Sequence, residues 1–258
     1  MATEDGTKDV VDDGRTNDAL SNPRKYKSFY GINSKKQFEE AWVNQRDWML
    51  ANFSHIAYYD EQAINQRLGA YGVSIIFYDD GSGGQALLAT FLEVAVLAFR
   101  GTEPSERQDL FVDMKIWTKS FRGATLHTGF CDATESLWKL GIEESLNQAK
   151  ASKVYATGHS LGAAIALISG MYYEFEAIVT FGEPRVGVNI TEELKGNSVN
   201  HIRYVNGHDL VTKGISEGKN YHHHGEEKKL AISPPHFIST SDALDHSIIN
   251  YAVRIKSI

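Results

Sequence analysis

The chain is short of several residue types and patterns, and each shortage excludes something. It has one cysteine, Cys131, in 258 residues. A lone thiol closes no intramolecular disulfide, so packing rather than cross-linking must hold the fold. That suits a reducing compartment and equally a cysteine-poor secreted protein, so localisation stays unknown. No run of Lys and Arg occurs, and 26 basic against 33 acidic residues leave a net charge of −7. Phosphate backbones require clustered cations, so no nucleic acid is expected as a partner. Anionic membrane surfaces are disfavoured on the same ground. No apolar stretch reaches the roughly 20 residues of a membrane-spanning helix, so no transmembrane segment is expected. Residues 1–28 lack an apolar signal core and read as a flexible tail. Internal repeats and interdomain linkers are also missing, which leaves residues 29–258 as a single expected domain.

Hydrophobic residues make up 42% of the chain, enough for a substantial core. The stretch from Lys35 to Ile56 has Phe38, Trp42, Trp48 and Met49 near helical spacing and reads as one long helix, with Ser34 as its N-cap. "GVSIIFYDDGSGGQALLATFLEVAVLAFRGT" then supplies three strand-like runs, the first two joined by the turn "DDGSGG". The third, Val94 to Phe99, is apolar on both faces, as in a covered central strand. "DATESLWKLGIEESLNQAK" reads as an amphipathic helix. Strand Val154–Thr157, helix Leu161–Tyr173 and strands "AIVTFG" and "HIRYVNG" follow. This alternation predicts an α/β protein with a mostly parallel central sheet and helices on both faces.

The segment "KVYATGHSLGAAIAL" places Ser160 between Gly158 and Gly162, after a strand and before a helix. At such a turn a serine stands above the carboxyl edge of the sheet, and both glycines avoid collisions with neighbouring elements. The helix starting at Leu161 aims unpaired N–H groups at the serine oxygen. A serine hydroxyl needs a base and an acid to become a nucleophile. On sheets of this type the chain order is Ser, then Asp or Glu, then His. Asp209 in "RYVNGHDLVTK" and His246 in "STSDALDHSIINY" satisfy that order, with Asp209 just past a strand at the same edge.

"VAVLAFRGT", "LHTGF", "VYATGHSLGAAIA", "IVTFGEPRVG", "YVNGHDLV", "NYHHHGEE" and "DHSIINY" together resemble the class 3 lipases, the filamentous-fungal-type lipases and esterases of the α/β-hydrolase superfamily. The likeness runs over about residues 35–255. It implies an α/β-hydrolase fold, Ser160 as nucleophile, Asp209 as acid and His246 as base. It further implies an oxyanion hole made by Thr102, at the end of "FRGT", and the backbone N–H of Leu161. Two such donors are what acyl transfer needs, because the carbonyl oxygen becomes anionic.

Other residues compete for these roles. Asp109 and Asp113 precede the serine, and Asp242 and Asp245 flank His246 too closely to orient it; Asp245 suits a cap of the last helix. His159, inside the turn, should point away from the serine oxygen, and His208 and His236 are the remaining candidate bases. The run His222-His223-His224 lacks the separated ligand pairs of a metal site, so no metal is expected, and His224, Gly225 and Glu226 read as structural. Cys131 reads as a buried thiol.

Between Thr102 and His127, Leu110, Met114 and Trp117 fall at i, i+4 and i+7, with Phe111 beside them. In the resembling lipases the corresponding stretch is a helical lid that opens at lipid surfaces; a fixed surface helix is the alternative. The resemblance implies a carboxylic ester hydrolase, foremost a triacylglycerol lipase working through an acyl-enzyme without cofactor. Its partners would be a small-molecule ester or acylglycerol and, transiently, a lipid interface through the lid. Short-chain, feruloyl-type or phospholipid esterase activity of the same family, or a non-catalytic binding module, are the alternatives.

Overall fold

The computed structural model describes residues 32–102, 117–207, 209–214, 221–230 and 246–256; the expected tail, residues 1–28, lies outside them. Helices α1 (Lys35–Asn44), α2 (Arg46–Ile56) and α3 (Glu61–Gly69) lead into strands β1 (Ser74–Asp79), β2 (Gln85–Phe91) and β3 (Val94–Phe99). A hairpin, β4 (Thr118–Phe121) and β5 (Ala124–His127), precedes α4 (Thr128–Trp138) and α5 (Ile142–Ala149). Next come β6 (Lys153–His159), α6 (Leu161–Ser169), β7 (Ala177–Phe181) and the short β8 (Gly187–Val188). The chain continues through β9 (His201–Asn206), α7 (Val211–Gly214), β10 (Glu226–Leu230) and α8 (Ile248–Lys256).

Seven strands form one sheet in the order β1-β2-β3-β6-β7-β9-β10, and β4-β5-β8 form a smaller one. β1, β2 and β3 pair antiparallel, and from β3 to β10 every pairing is parallel. β3 explains why helices cover both faces. Its Val96 and Ala98 pack with α1, α2 and α8 on one side, while Ala95, Leu97 and Phe99 pack with α4, α5 and α6 on the other. Alternation with period two therefore carries an apolar run into two cores at once. Each large apolar side chain buried this way stabilises by about 1.5–3 kcal/mol. Parallel pairing brings the carboxyl ends of β3, β6, β7 and β9 to one edge, where ligands bind in open α/β sheets.

Two expected helices are each two. The run Lys35–Ile56 breaks at Gln45, whose φ of −130° and ψ of 56° leave the helical region. The burial pattern gives the reason. α1 buries only the stripe Phe38, Ala41 and Trp42, whereas α2 is buried continuously from Trp48 to Ile56. A surface helix and a core helix cannot share one axis here. Ser34 caps α1, its Oγ accepting the Gln37 N–H at 3.2 Å. The second expected helix starts earlier, at Thr128, and breaks at Gly141, which has a φ of 85°. α6 stops at Ser169, short of Tyr173, and β6 runs beyond the expected Val154–Thr157.

Cys131 is fully buried in the core between α4, α6 and the hairpin. Burial pushes its thiol up to about 11, with nearby carboxylates adding to the shift and Lys119 opposing it. The thiolate is the reactive species. The native protein is therefore expected to resist Ellman's reagent at mildly alkaline pH and to react with one equivalent once unfolded. Rapid labelling of the folded chain would contradict this packing.

Candidate active site

The serine turn is built from steric necessity. Ser160 has φ 59° and ψ −124°, a conformation that costs a non-glycine residue about 1–3 kcal/mol. The chain holds it because β6 and α6 meet almost in contact. A Cβ added at Gly158 would lie 2.2 Å from the carbonyl oxygen of Gly162, and one at Gly162 would lie 2.2 Å from that of Phe99. No side chain fits either gap. The Ser160 N–H donates to Phe181 O at 3.1 Å, which ties the turn to β7.

Ser160, Asp209 and His246 come together at this edge. The Ser160 hydroxyl lies 2.8 Å from His246 Nε2, and His246 Nδ1 lies 2.7 Å from Asp209 Oδ2. All three residues are buried. Asp209 follows the end of β9, and His246 sits just before α8. The carboxylate makes further bonds: Oδ1 accepts the Val211 N–H at 2.9 Å, and Oδ2 accepts the Tyr251 hydroxyl at 2.6 Å. Burial opposes charge on Asp209, but His246, Tyr251 and the Val211 N–H outweigh it and hold the carboxyl below its usual range.

His159 faces elsewhere, as its place in the turn predicts. Its Nε2 lies 2.6 Å from the His246 carbonyl oxygen, which can only accept, so Nε2 carries the proton. Its Nδ1 then accepts from the Tyr58 hydroxyl at 2.8 Å. This buried relay fixes the main chain of His246. Tyr58 and Tyr251 were missed as site residues because each reads as an apolar-core aromatic; the turn after α2 and the helix α8 bring their hydroxyls in.

Thr102 is half-buried and leaves β3 beside the turn. A Cβ on its neighbour Gly101 would fall 2.4 Å from the His159 carbonyl oxygen, so the backbone at 101–102 lies directly against the serine turn. Leu161 opens α6, and N–H groups of a first helical turn have no partner within the helix. Leu110, Phe111 and Met114 lie outside the described residues, as do His208, His236, Asp109, Asp113, Asp242 and Asp245. Trp117, the last expected lid residue, is 69% exposed. It precedes β4, so the stretch from residue 118 onward is a hairpin rather than helix.

The three consecutive histidines take separate partners. His223 Nε2 donates to the Thr212 carbonyl at 2.7 Å, while His224 accepts the Thr191 hydroxyl at 2.9 Å on Nδ1. His222 forms a bridge with Gly187 through its backbone. Among the described residues no three His, Cys, Asp or Glu side chains gather to hold a metal, and no helix is long and apolar enough to cross a membrane.

Removing the Tyr251 hydroxyl tests the surroundings of Asp209. A hydrogen bond to a buried charge contributes about 1.5–3 kcal/mol, so Tyr251→Phe is expected to lower stability by that order in urea unfolding. Because the hydroxyl holds the Asp209 pKa down, its loss raises that pKa. The acid limb of the pH–kcat profile then moves to higher pH. An unmoved limb would mean that Tyr251 serves packing alone.

Comparison with known proteins places these features in context. Residues 96–217 match the family described as Lipase (class 3). A toxin of Vibrio cholerae, TseL, is 34% identical over 139 residues, covering 50% of this chain and 21% of the toxin. A lipase of Rhizopus niveus is 29% identical over 193 residues, covering 69% of this chain and 49% of that protein. The chain thus spans half or less of the length of these relatives. Among solved structures, lipase II from Rhizopus niveus superposes with a TM-score of 0.58 at 22% identity, over 77% of this chain and 82% of that one. The fold is that of the α/β hydrolases, with a mostly parallel central sheet.

Proposed function

Because the chain belongs to the class 3 lipase family, we propose that it is a serine carboxylic ester hydrolase, foremost a triacylglycerol lipase, with Ser160, His246 and Asp209 as its triad. The observation that carries this reading is the unbroken hydrogen-bonded chain from the Ser160 hydroxyl through His246 to the Asp209 carboxylate. Ser160 Oγ attacks the ester carbonyl while His246 Nε2 takes its proton. Asp209 keeps the imidazole in the right tautomer and stabilises the imidazolium. The N–H groups of Thr102 and Leu161 receive the developing oxyanion, each contributing about 3–4 kcal/mol of barrier lowering. His246 then protonates the departing alkoxide, and a water activated by the same ring releases the acid.

An apolar acyl chain is supported by an exposed side chain beside Asp209. Leu210, 52% exposed, directly follows Asp209. Exposed apolar groups next to a reactive centre suit an apolar substrate or a lipid interface. The test is a chain-length series of p-nitrophenyl esters alongside emulsified acylglycerols. Activity is expected to rise with acyl length and again on emulsions. A steady fall with length and no gain on emulsions would leave a short-chain esterase instead.

A further inference from the structure

A pocket opens where β9 and β10 end, beyond Asp209. It has a volume of about 410 Å³, and its walls include Arg185, Thr212, Lys213, His223, Glu227 and Lys229. These come from the loop after β7, from α7, and from β10 and the segment before it. In a chain of net charge −7, such a concentration of cations in one concavity is a local reversal of sign.

The acid within the pocket does not neutralise it. The Glu227 carboxylate is shared between Lys229 Nζ at 3.3 Å and Arg203 Nη2 at 3.3 Å, so two cations meet one anion there. Arg185 and Lys213 add two further positive charges. Glu183, the carboxylate acting on His223, is buried and pairs with His201 at 2.8 Å. A buried nitrogen on the pocket wall adds a separate observation. With Nε2 of His223 committed to the Thr212 carbonyl, its Nδ1 has no partner among the described residues. A buried polar atom left unpaired is unfavourable, and a ligand oxygen satisfies it.

We infer that this pocket binds a phosphate group, held by Arg185, Lys213 and Lys229, with His223 at the pocket wall. Guanidinium and ammonium groups around a concave site suit a tetrahedral oxyanion. His223 Nδ1, an acceptor in the neutral ring, suits a protonated phosphate oxygen. The volume leaves room for an organic body, so the phosphate is either that of an ester such as a lipid headgroup or the free ion. The pocket shares a wall with the acid of the triad, since the Thr212 hydroxyl donates to Asp209 O at 2.8 Å. This inference goes beyond the hydrolase reading and does not depend on it.

The test is isothermal titration calorimetry of the full chain carrying Ser160→Ala, titrated with inorganic phosphate, sn-glycerol 3-phosphate and acetate. Saturable binding of one equivalent is expected for both phosphates. Lys213→Gln and Lys229→Gln, both at exposed positions, are each expected to weaken it about fivefold, and the double variant more. Tighter binding of glycerol 3-phosphate assigns an ester; equal or tighter binding of inorganic phosphate assigns the free ion. Titrations that never saturate, or affinities indifferent to the double substitution, overturn the site. Acetate binding as tightly as phosphate overturns the assignment to a tetrahedral anion.

Discussion

Ser160→Ala is expected to lower kcat on a soluble ester by about 10⁶-fold, with little change in KM and no change in fold. The size follows from the unit of which the hydroxyl is part: without Oγ neither His246 nor Asp209 has a nucleophile to serve. The fold survives because alanine keeps the Cβ. Backbone strain at φ 59° is then the same in both proteins, and the contacts that shape the turn belong to Gly158, Gly162 and Phe99. A fluorophosphonate probe should label the parent at Ser160 and leave the variant unlabelled, with near-ultraviolet circular dichroism unchanged. Labelling at a different residue, or residual turnover within an order of magnitude of the parent, would falsify the assignment and revive a non-catalytic binding module.

Asp209→Asn is expected to cost about 10⁴-fold in kcat. The amide can donate to His246 Nδ1, which drives the proton to Nε2, where the ring can no longer accept from Ser160. Stability should suffer as well. Both carboxylate oxygens of Asp209 now accept from donors, namely Val211 N–H, Tyr251 hydroxyl and His246. An amide sets an NH₂ against at least one of them, at a cost of about 1–3 kcal/mol. The pH dependence has a definite sign. A carboxyl whose folded pKa lies below its unfolded value, about 3.9, contributes stability that is fully present above that value. The contribution is lost as pH falls through the lowered folded pKa. Urea unfolding at descending pH should therefore lose stability less steeply in the variant than in the parent. Parallel curves would mean that the Asp209 carboxylate is not held as its hydrogen bonds indicate.

Much of this site can be read along the chain because local sterics dictate it. Between a strand and a helix that touch, only glycine fits at 158 and 162, so the motif in the sequence is a record of the contact. The chain order Ser, Asp, His follows from strands that end at one edge. Other features leave no local trace. Tyr58, in the turn after α2, and Tyr251, in α8, look like core aromatics until packing lays their hydroxyls on His159 and Asp209. The Gln45 break is equally silent: helical spacing continues through it, and only the difference in burial between α1 and α2 divides them. The pocket at Arg185, Lys213 and Lys229 combines charges from three separate segments, each of which alone reads as an ordinary solvated surface group.

The amino-acid order by itself determined the alternation of strands and helices, the sharp serine turn and the identity of the three residues placed at the sheet's edge. The first two depend on side-chain size and periodicity over a few neighbours, the third on the Ser, Asp, His chain order and the likeness to the class 3 lipases. Tertiary structure alone decided which hydroxyls support the histidine and acid, where the first helix breaks and which cations share a pocket. Those outcomes are distances between segments remote along the chain, and packing sets them.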